Sequence, residues 1–225
     1  MAKKNEEMIE IKAIEKKVVE LTIEGDSPLI VHAWSDKAKR MMLEAQQGKK
    51  KGKTKEVRNP VDEFINSLYW LTPKPVYADD ASEETCEQAF NAAVENGAKF
   101  GFSACAIKQA GNSAAYRLGW VKNQTGLRGA YFIKGDDNGM IEIESDEPPV
   151  MREDMVRIGM GTADLRYRAE FKRWRAKLTI EYISNGEYSL ENIINIINAG
   201  GLICGIGEWR PEKDGSYGMY HVKID

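Results

Sequence analysis

The sequence predicts an α+β protein with a ferredoxin-like core and a largely helical insertion. Apolar residues alternate at period two near the start, and alanine-rich helical segments fill the middle. The pattern of the last third predicts a strand, a helix and another strand, with a glycine-rich loop before the final strand. We expect three parts: residues 1–58 with the first strand and helix of the core plus a basic loop, 59–135 as the helical insertion, and 136–225 as the second half of the core.

The first part of the chain contains one clear strand. Val19, Leu21 and Ile23 share a face over residues 17–24, because side chains alternate along a strand. The elements predicted after it are a break at 25–28, an extended apolar run at 29–34, a helix at 37–47 and an exposed, lysine-rich loop at 48–58.

The middle part is predicted to be mostly helical. Asn59-Pro60 marks a helix start, because proline is favoured at the first helical position, and Pro73 ends that helix. The predicted elements are helices at 61–71, 82–98 and 103–120, then strands at 126–134 and 140–143 joined by a turn at 135–139.

The last third contains two extended segments, and their apolar residues fall on odd positions in the first and on even positions in the second. Odd-numbered apolar residues face one way from Leu165 to Phe171, and even-numbered ones do so from Ala176 to Tyr182. A change of parity near Arg173-Trp174 predicts a bulge or a break between two strands. Further on, the sequence predicts a helix capped by Ser189 and closed at 200–201, a glycine-rich loop up to 218 and a last strand at 219–224.

Composition restricts the class of protein. With 42% hydrophobic and 30% charged residues, the 225-residue chain resembles a globular protein rather than a disordered one. No run of about 18 apolar residues, the length that spans a bilayer, is present, so we expect no membrane contact. Cys86, Cys105 and Cys204 are scattered, which indicates neither a disulfide framework nor a zinc site. These features predict a cytoplasmic protein.

Charge is unevenly distributed along the sequence. The formal net charge is only -3, yet residues 98–134 contain no carboxylate and six lysines or arginines. Residues 164–177 carry six more cations interleaved with Tyr167, Phe171 and Trp174. A basic surface attracts polyanions, and aromatic rings stack on unpaired bases. A run of charges can equally be a solvated face, and such aromatic residues can equally be core.

We therefore expect a non-enzymatic protein that binds single-stranded RNA or DNA without a cofactor, as a homo-oligomer repeating along the strand. Lysines and arginines would contact phosphates, so binding should weaken steeply with salt. The expected site residues are Arg166, Arg168, Lys172, Arg173, Trp174 and Arg175 in the second basic segment, Lys49, Lys50, Lys51 and Lys53 in the lysine-rich loop, Lys108 and Arg117 in the first basic segment, and Trp209 and Arg210 in the glycine-rich loop.

The glycine-rich loop has two possible roles. Its glycines allow positive φ and close backbone approach, so exposed amides beside Trp209 and Arg210 could hold a phosphate. The alternative is a tightly packed turn with a buried Trp209.

Signals for catalysis or metal binding are weak. His32 and His221 each fall within a predicted strand without a ligand spacing. The acidic pairs at 79–80 and 136–137 could bind magnesium, but both occur in turn-like contexts where aspartate is common. We therefore expect no enzymatic activity and no resident metal.

The glycine-rich segment 200–218 after a helix, together with the early segment Leu-Thr-Ile-Glu-Gly-Asp-Ser-Pro-Leu-Ile, resembles the RAMP superfamily of CRISPR proteins, in particular the backbone subunits that coat guide RNA. This resemblance implies an RNA-recognition-type core with a protruding insertion, and polymerisation along RNA. The chain also resembles uncharacterised proteins of tailed bacteriophages in Arg-Tyr-Arg-Ala-Glu-Phe and Gly-Ile-Gly-Glu-Trp-Arg-Pro, which implies the cytoplasm of a bacterial host.

Two other functions are compatible with the same residues. A phage assembly component or an inhibitor of a host factor would use its basic segments on an acidic protein surface, without nucleic acid. A magnesium-dependent, nucleotide-handling enzyme would use Asp79 or Asp136.

Overall fold

Residues 12–48, 58–158 and 161–223 are described by the structure, a computed structural model. Helices and strands are mixed along the chain, as expected for an α+β protein. The strands are β1 (Lys16–Gly25), β2 (Leu29–Val31), β3 (Phe100–Ser103), β4 (Tyr131–Lys134), β5 (Met140–Ile143), β6 (Val150–Ile158), β7 (Thr162–Phe171), β8 (Arg175–Ile183) and β9 (Tyr220–Val222). The helices are α1 (Asp36–Gln46), α2 (Pro60–Ser67), α3 (Glu83–Glu95), α4 (Ala104–Arg117), α5 (Thr125–Ala130) and α6 (Leu190–Ala199).

The largest sheet has four strands in the order β4-β8-β1-β9, and every neighbouring pair is antiparallel. One face of this sheet is apolar: Ala176, Leu178 and Ile180 of β8 are completely buried. Helices α4 and α6 pack against each other in the same core. They approach closely because Gly111 of α4 has no side chain, and a Cβ there would lie 3.1 Å from atoms of Ile196.

Two smaller sheets complete the fold. Strands β6 and β7 form a long antiparallel hairpin, and β2 pairs with the other edge of β7. Helix α2 packs on this sheet, where the Ser67 hydroxyl accepts a hydrogen bond from the Ala169 amide at 2.9 Å. Strands β3 and β5 form a two-stranded sheet, next to which Trp70 makes an isolated bridge with Phe100.

An aromatic cluster joins the middle of the chain to β7. The rings of Phe64 and Phe90 lie 5.0 Å apart, those of Trp70 and Phe100 4.9 Å apart, and those of Phe100 and Phe171 5.9 Å apart. All three pairs meet edge-on, the geometry that the ring quadrupole favours. Residues 59–103 therefore share one apolar core with the hairpin.

Several predicted elements are confirmed. The parity change at residues 172–174 is the break between β7 and β8. The Ser189 hydroxyl caps α6 by accepting from the Asn192 amide at 3.2 Å, and Asn59 caps α2 with Pro60 at its first position. The chain does not stop its helical path at residues 200–201, because a π-helical turn continues over Gly200–Cys204.

Other predicted elements are wrong. Residues 126–134 were expected to be one strand, but α5 occupies their first half and only β4 is extended. Helix α2 ends at Ser67, four residues early, because the following segment turns to bridge with β3. Strands β3 and β6 were not expected. β6 reads Val-Met-Arg-Glu-Asp-Met-Val-Arg-Ile without a period-two alternation, and it is extended because it pairs with β7 along its whole length.

No described helix is both long and apolar enough to cross a bilayer. All three cysteines are free thiols: Cys86 and Cys204 are buried and Cys105 is exposed.

Candidate nucleic-acid interface

Arg168 lies inside the protein rather than on a binding surface. It sits on β7 with its side chain 8% exposed, and its Nη1 lies 3.3 Å from Oδ2 of Asp154 on β6. Its Nη2 lies 3.5 Å from Glu208, and its Nε donates to Nδ1 of His32 at 3.4 Å. The expectation that Arg168 contacts phosphate is therefore wrong, because a phosphate cannot reach a guanidinium enclosed by these groups.

The rest of this polar cluster holds the hairpin against the glycine-rich loop. Arg152 donates to Asp154 at 2.7 Å and to Glu170 at 2.9 Å, and its Nη1 also donates to the Tyr217 hydroxyl at 3.0 Å. Burial, followed by the positive charge of Arg168, lowers the pKa of His32 from its ordinary value. The imidazole is therefore biased towards its neutral form, which can accept the Arg168 hydrogen bond.

Trp174 is also buried, with 3% of its surface exposed. Its Nε1 donates to the Ser27 carbonyl at 2.9 Å, and its ring meets that of Tyr220 edge-on at 6.2 Å. A Cβ at residue 25 would overlap the indole, which explains the glycine there. The expectation that Trp174 stacks on a base is wrong, since neither face of the ring is accessible.

The remaining cations of the second basic segment lie beside acidic residues. Arg173 pairs with Glu147 at 2.9 Å, and Arg175 pairs with Glu144 at 2.9 Å and Asp146 at 3.2 Å. Arg166 pairs with Asp164 at 2.9 Å. The acidic stretch at 144–147, distant in sequence, runs next to the basic one because Glu144 bridges with Arg175. Charge that is segregated along the sequence is therefore largely mixed in space.

Lys172 is exposed, and the described part of the chain offers it no ion-pair partner. Of the first basic segment, Arg117 pairs with Glu212 at 2.8 Å. Lys108 donates to the Arg128 carbonyl at 2.7 Å, and its Nζ lies 4.1 Å from the centre of the Phe132 ring. Burial lowers the pKa of the Lys108 ammonium. Lys49, Lys50, Lys51 and Lys53 lie outside the described residues.

The glycines of the glycine-rich loop allow close packing of the backbone. A Cβ at Gly218 would overlap the Ile206 carbonyl oxygen, and one at Gly207 would overlap that of Ile30. The amides of Ile206, Glu208 and Gly218 all donate to backbone carbonyls. These amides are therefore not available to a phosphate, and the loop is a packed turn, but the burial of Trp209 expected with that interpretation is wrong.

Both candidate residues in this loop are held by local geometry. Trp209 is 39% exposed with a φ of 51°, unusual for a residue with a side chain. Arg210 donates to the Gly207 carbonyl at 2.9 Å and pairs with Glu212 at 2.9 Å. Trp209 remains accessible for stacking, whereas Arg210 is engaged within the loop.

A surface that the sequence reasoning missed is the second face of the four-stranded sheet. Strand register places Phe132, Glu181 and Val18 side by side, with Lys134, Lys177 and Lys16 on the same face. Phe132 is 46% and Val18 63% exposed, and among the described helices only the Lys108 ammonium of α4 reaches over the Phe132 ring. The period-two alternation of β1 and β8 identifies the apolar face of the sheet. The residues between those apolar positions lie on the other face, so the same alternation could have indicated this open face.

The charges around Glu181 on this open face are predominantly positive and favour an anionic ligand. Lys134 and Lys16 both donate to the Glu181 carboxylate, at 3.0 and 3.2 Å, and lower the pKa of Glu181. Two ammonium groups share one carboxylate, so the trio carries a net positive charge. Lys177 has no ion-pair partner within the described ranges, and Glu20 has none either.

Among described residues, no three His, Cys, Asp or Glu side chains are arranged to hold a metal ion. Asp136 stabilises the turn in which it lies, because its Oδ1 accepts hydrogen bonds from the amides of Asn138 and Met140 at 2.9 Å. His221 pairs with Asp26 at 2.7 Å on the surface.

No family model matches this sequence. The curated proteins likewise include no significant match.

Proposed function

We propose that this protein binds single-stranded RNA or DNA, without catalysis, on the open face of its four-stranded sheet. The observation that carries the proposal is the accessible Phe132 ring among Lys108, Lys134 and Lys16 on a sheet face that no described helix covers. An exposed ring can stack on an unpaired base, and the surrounding ammonium groups can contact the phosphates on either side.

Strand order supports a ferredoxin-like core as the scaffold of this face. Among the four strands of the sheet, the order across it is second, third, first, fourth in chain order, all antiparallel. Helix α4 precedes the second strand and α6 precedes the fourth, which gives the β-α-β-β-α-β sequence of that arrangement. RNA-recognition proteins of this arrangement bind single strands by stacking bases on aromatic residues of the four-stranded sheet.

The ion pairs on the open face do not prevent binding. Exposed pairs such as Lys134–Glu181 stabilise a protein by about 0–1 kcal/mol, so exchanging a carboxylate for a phosphate costs little. Arg175 and Lys177 follow one another on the same face of β8, and Lys172 and Arg173 precede them. We assign these four cations to the phosphate path, and leave out Arg166, Arg168 and Trp174 of the same segment.

The test is fluorescence anisotropy with a labelled 30-nucleotide single strand at two salt concentrations. Phe132→Ala should weaken binding by about 1–3 kcal/mol if one base stacks there. Lys177→Ala should weaken it less and reduce the salt slope by about one unit. Trp120→Ala is the matched aromatic control, since Trp120 is 55% exposed but lies outside the sheet.

Two results would contradict the proposal. One is the absence of binding at low salt. The other is equal loss of binding in Phe132→Ala and Trp120→Ala, which would place the strand elsewhere.

A specific observation favours a second candidate, an interaction protein that does not bind nucleic acid. Glu83, Glu84 and Glu87 project from the start of α3 with no ion pair among the described residues. An acidic surface of this kind repels phosphates and fits a basic protein partner. Absorbance at 260 nm relative to 280 nm in freshly purified protein distinguishes the two, because a nucleic-acid binder should carry bound strand at low salt.

A further inference from the structure

Strand β1 has an edge that is only partly covered. β9 pairs with Ile23, Glu24 and Gly25, and the described residues place no strand beside Lys16–Leu21 on that side. Burial follows this boundary: Ile23 is fully buried, whereas Val19 and Leu21, which face the same core, are only partly buried. An uncovered edge of this length is a template for another strand.

The hydrogen bonds around β1 identify which backbone groups point to this edge. The Thr22 carbonyl accepts from the Lys223 amide at 2.8 Å, and the Asp26 amide donates to Met219, both on the β9 side. The Gly25 amide donates to Trp174 on the β8 side. Since these directions alternate along a strand, the N–H and C=O groups of Lys16, Val18 and Glu20 point outward at the open edge.

The side chains of the same three residues are self-complementary. Reading Lys16, Val18 and Glu20 in the opposite direction exchanges the lysine and the glutamate and leaves the valine in place. Val18 is 63% exposed, and Glu20 has no ion-pair partner in the described ranges. An antiparallel copy of this strand would therefore meet opposite charges at both ends and an apolar side chain at the centre.

We propose that a second copy of this chain pairs with the β1 edge in antiparallel fashion, with Val18 opposite Val18 of the second copy and Lys16 opposite its Glu20. Three residue pairs then face each other with outward backbone groups, and each pair exchanges two hydrogen bonds. The contact is isologous, so it closes into a two-fold dimer and does not extend into a filament.

Neighbouring registers are disfavoured. Shifting the second strand by two residues in one direction places Lys17 opposite Lys17 of the second copy, and like charges directly opposite are destabilising. The opposite shift places residue 16 of the second copy opposite Thr22, where Lys223 already lies, so that β1 itself would overlap β9. In the proposed register only residues 12–15 of the second copy extend towards β9, and they must turn away from Ser184 and Asn185 to leave Lys223 in place. The edge lysines thus prevent general aggregation while permitting this one pairing.

Pairing would join β4, β8 and β1 of the two copies into a ladder of six strands, with both open faces on one side of the joined sheet, while β9 of each copy stays on the same edge of β1 as the contact. The paired segment is short, about five residues, so the buried area is at the low end for a specific interface. We therefore expect a concentration-dependent dimer rather than an obligate one. This inference does not depend on nucleic-acid binding.

Sedimentation equilibrium of nucleic-acid-free protein over a range of concentrations tests the dimer. Glu20→Lys should raise the dissociation constant about tenfold or more, because it places like charges opposite each other twice. The double variant Lys16→Glu with Glu20→Lys exchanges the charges and should restore the constant to within about threefold of the wild type. Glu95→Lys, on α3, is the matched charge-reversal control and should leave it unchanged.

A backbone variant separates edge pairing from surface charge. Val18→Pro removes the central outward N–H, which lies outside the β1–β8 ladder, and an edge strand tolerates proline there. It should abolish the dimer while keeping the far-ultraviolet circular dichroism spectrum of the wild type. A wild type that is monomeric throughout, or a double variant that dimerises no better than Glu20→Lys, would overturn the proposal.

Discussion

Arg168 of β7 and Asp154 of β6 form an ion pair of 3.3 Å in which both side chains are more than nine-tenths buried. Asp154 also accepts from Arg152 at 2.7 Å, so one buried carboxylate serves two guanidinium groups. The pair anchors the β6–β7 hairpin beside His32 and the glycine-rich loop.

Removing the shared carboxylate should destabilise the protein more than removing either arginine. Asp154→Ala leaves buried Arg168 with neutral His32 and a single carboxylate, Glu208, 3.5 Å away, so we expect a loss of about 3–5 kcal/mol in the free energy of unfolding. Arg168→Ala should cost less because Asp154 keeps Arg152. Urea unfolding measures both losses. Arg166→Ala, which removes an exposed ion pair with Asp164, is the control and should lower the free energy of unfolding by about 1 kcal/mol or less.

Trp174→Ala should unfold the protein at lower urea without changing the contacts to a nucleic acid. The buried indole fills the space above Gly25 and packs on Tyr220, so its removal should cost about 3–5 kcal/mol. Anisotropy performed where the variant is still folded should give wild-type affinity. A variant of normal stability but weakened binding would return Trp174 to the interface.

The difference between Trp174 and Phe132 shows what could be predicted from this sequence. Alternation of side chains located the break beside Trp174 and the buried face of β8, because both are local properties of a strand. Whether a ring is covered depends on what lies across from it, and Gly25 and Tyr220 are far away in sequence. Phe132 was missed because a strand predicted over residues 126–134 does not reveal that β4 pairs with β8 and turns this ring to an open face.

The ion pairs were unpredictable for the same reason. Arg175 pairs with Glu144 only because a bridge brings the two segments together. A count of charge along the sequence records neither the bridge nor the hairpin register that places Asp154 near Arg168.

Stability should fall as the pH is lowered through the range in which His32 takes up a proton. Its pKa is lowered in the folded protein, by burial first and then by Arg168, against the smaller opposing effect of Glu208. The unfolded chain therefore binds the proton more readily, so the contribution is fully present above the ordinary value of about 6.5 and is lost below it. Urea midpoints measured from pH 8 to pH 5 should show a decline that His32→Gln reduces. His221→Gln, at the exposed Asp26 pair, is the control.

Two glycine substitutions should act in opposite directions. Gly218 has a φ of 64°, and a Cβ there would overlap the Ile206 carbonyl oxygen, so Gly218→Ala should disrupt the glycine-rich loop and lower the free energy of unfolding markedly. Gly129 lies within α5 with nothing within 4 Å of a Cβ, so Gly129→Ala should raise stability by about 0.5–1 kcal/mol through helix propensity. Thermal and urea unfolding of the two variants side by side measure both effects. A tolerated Gly218→Ala would mean that the loop can rearrange, and its amides would again become candidates for binding an anion.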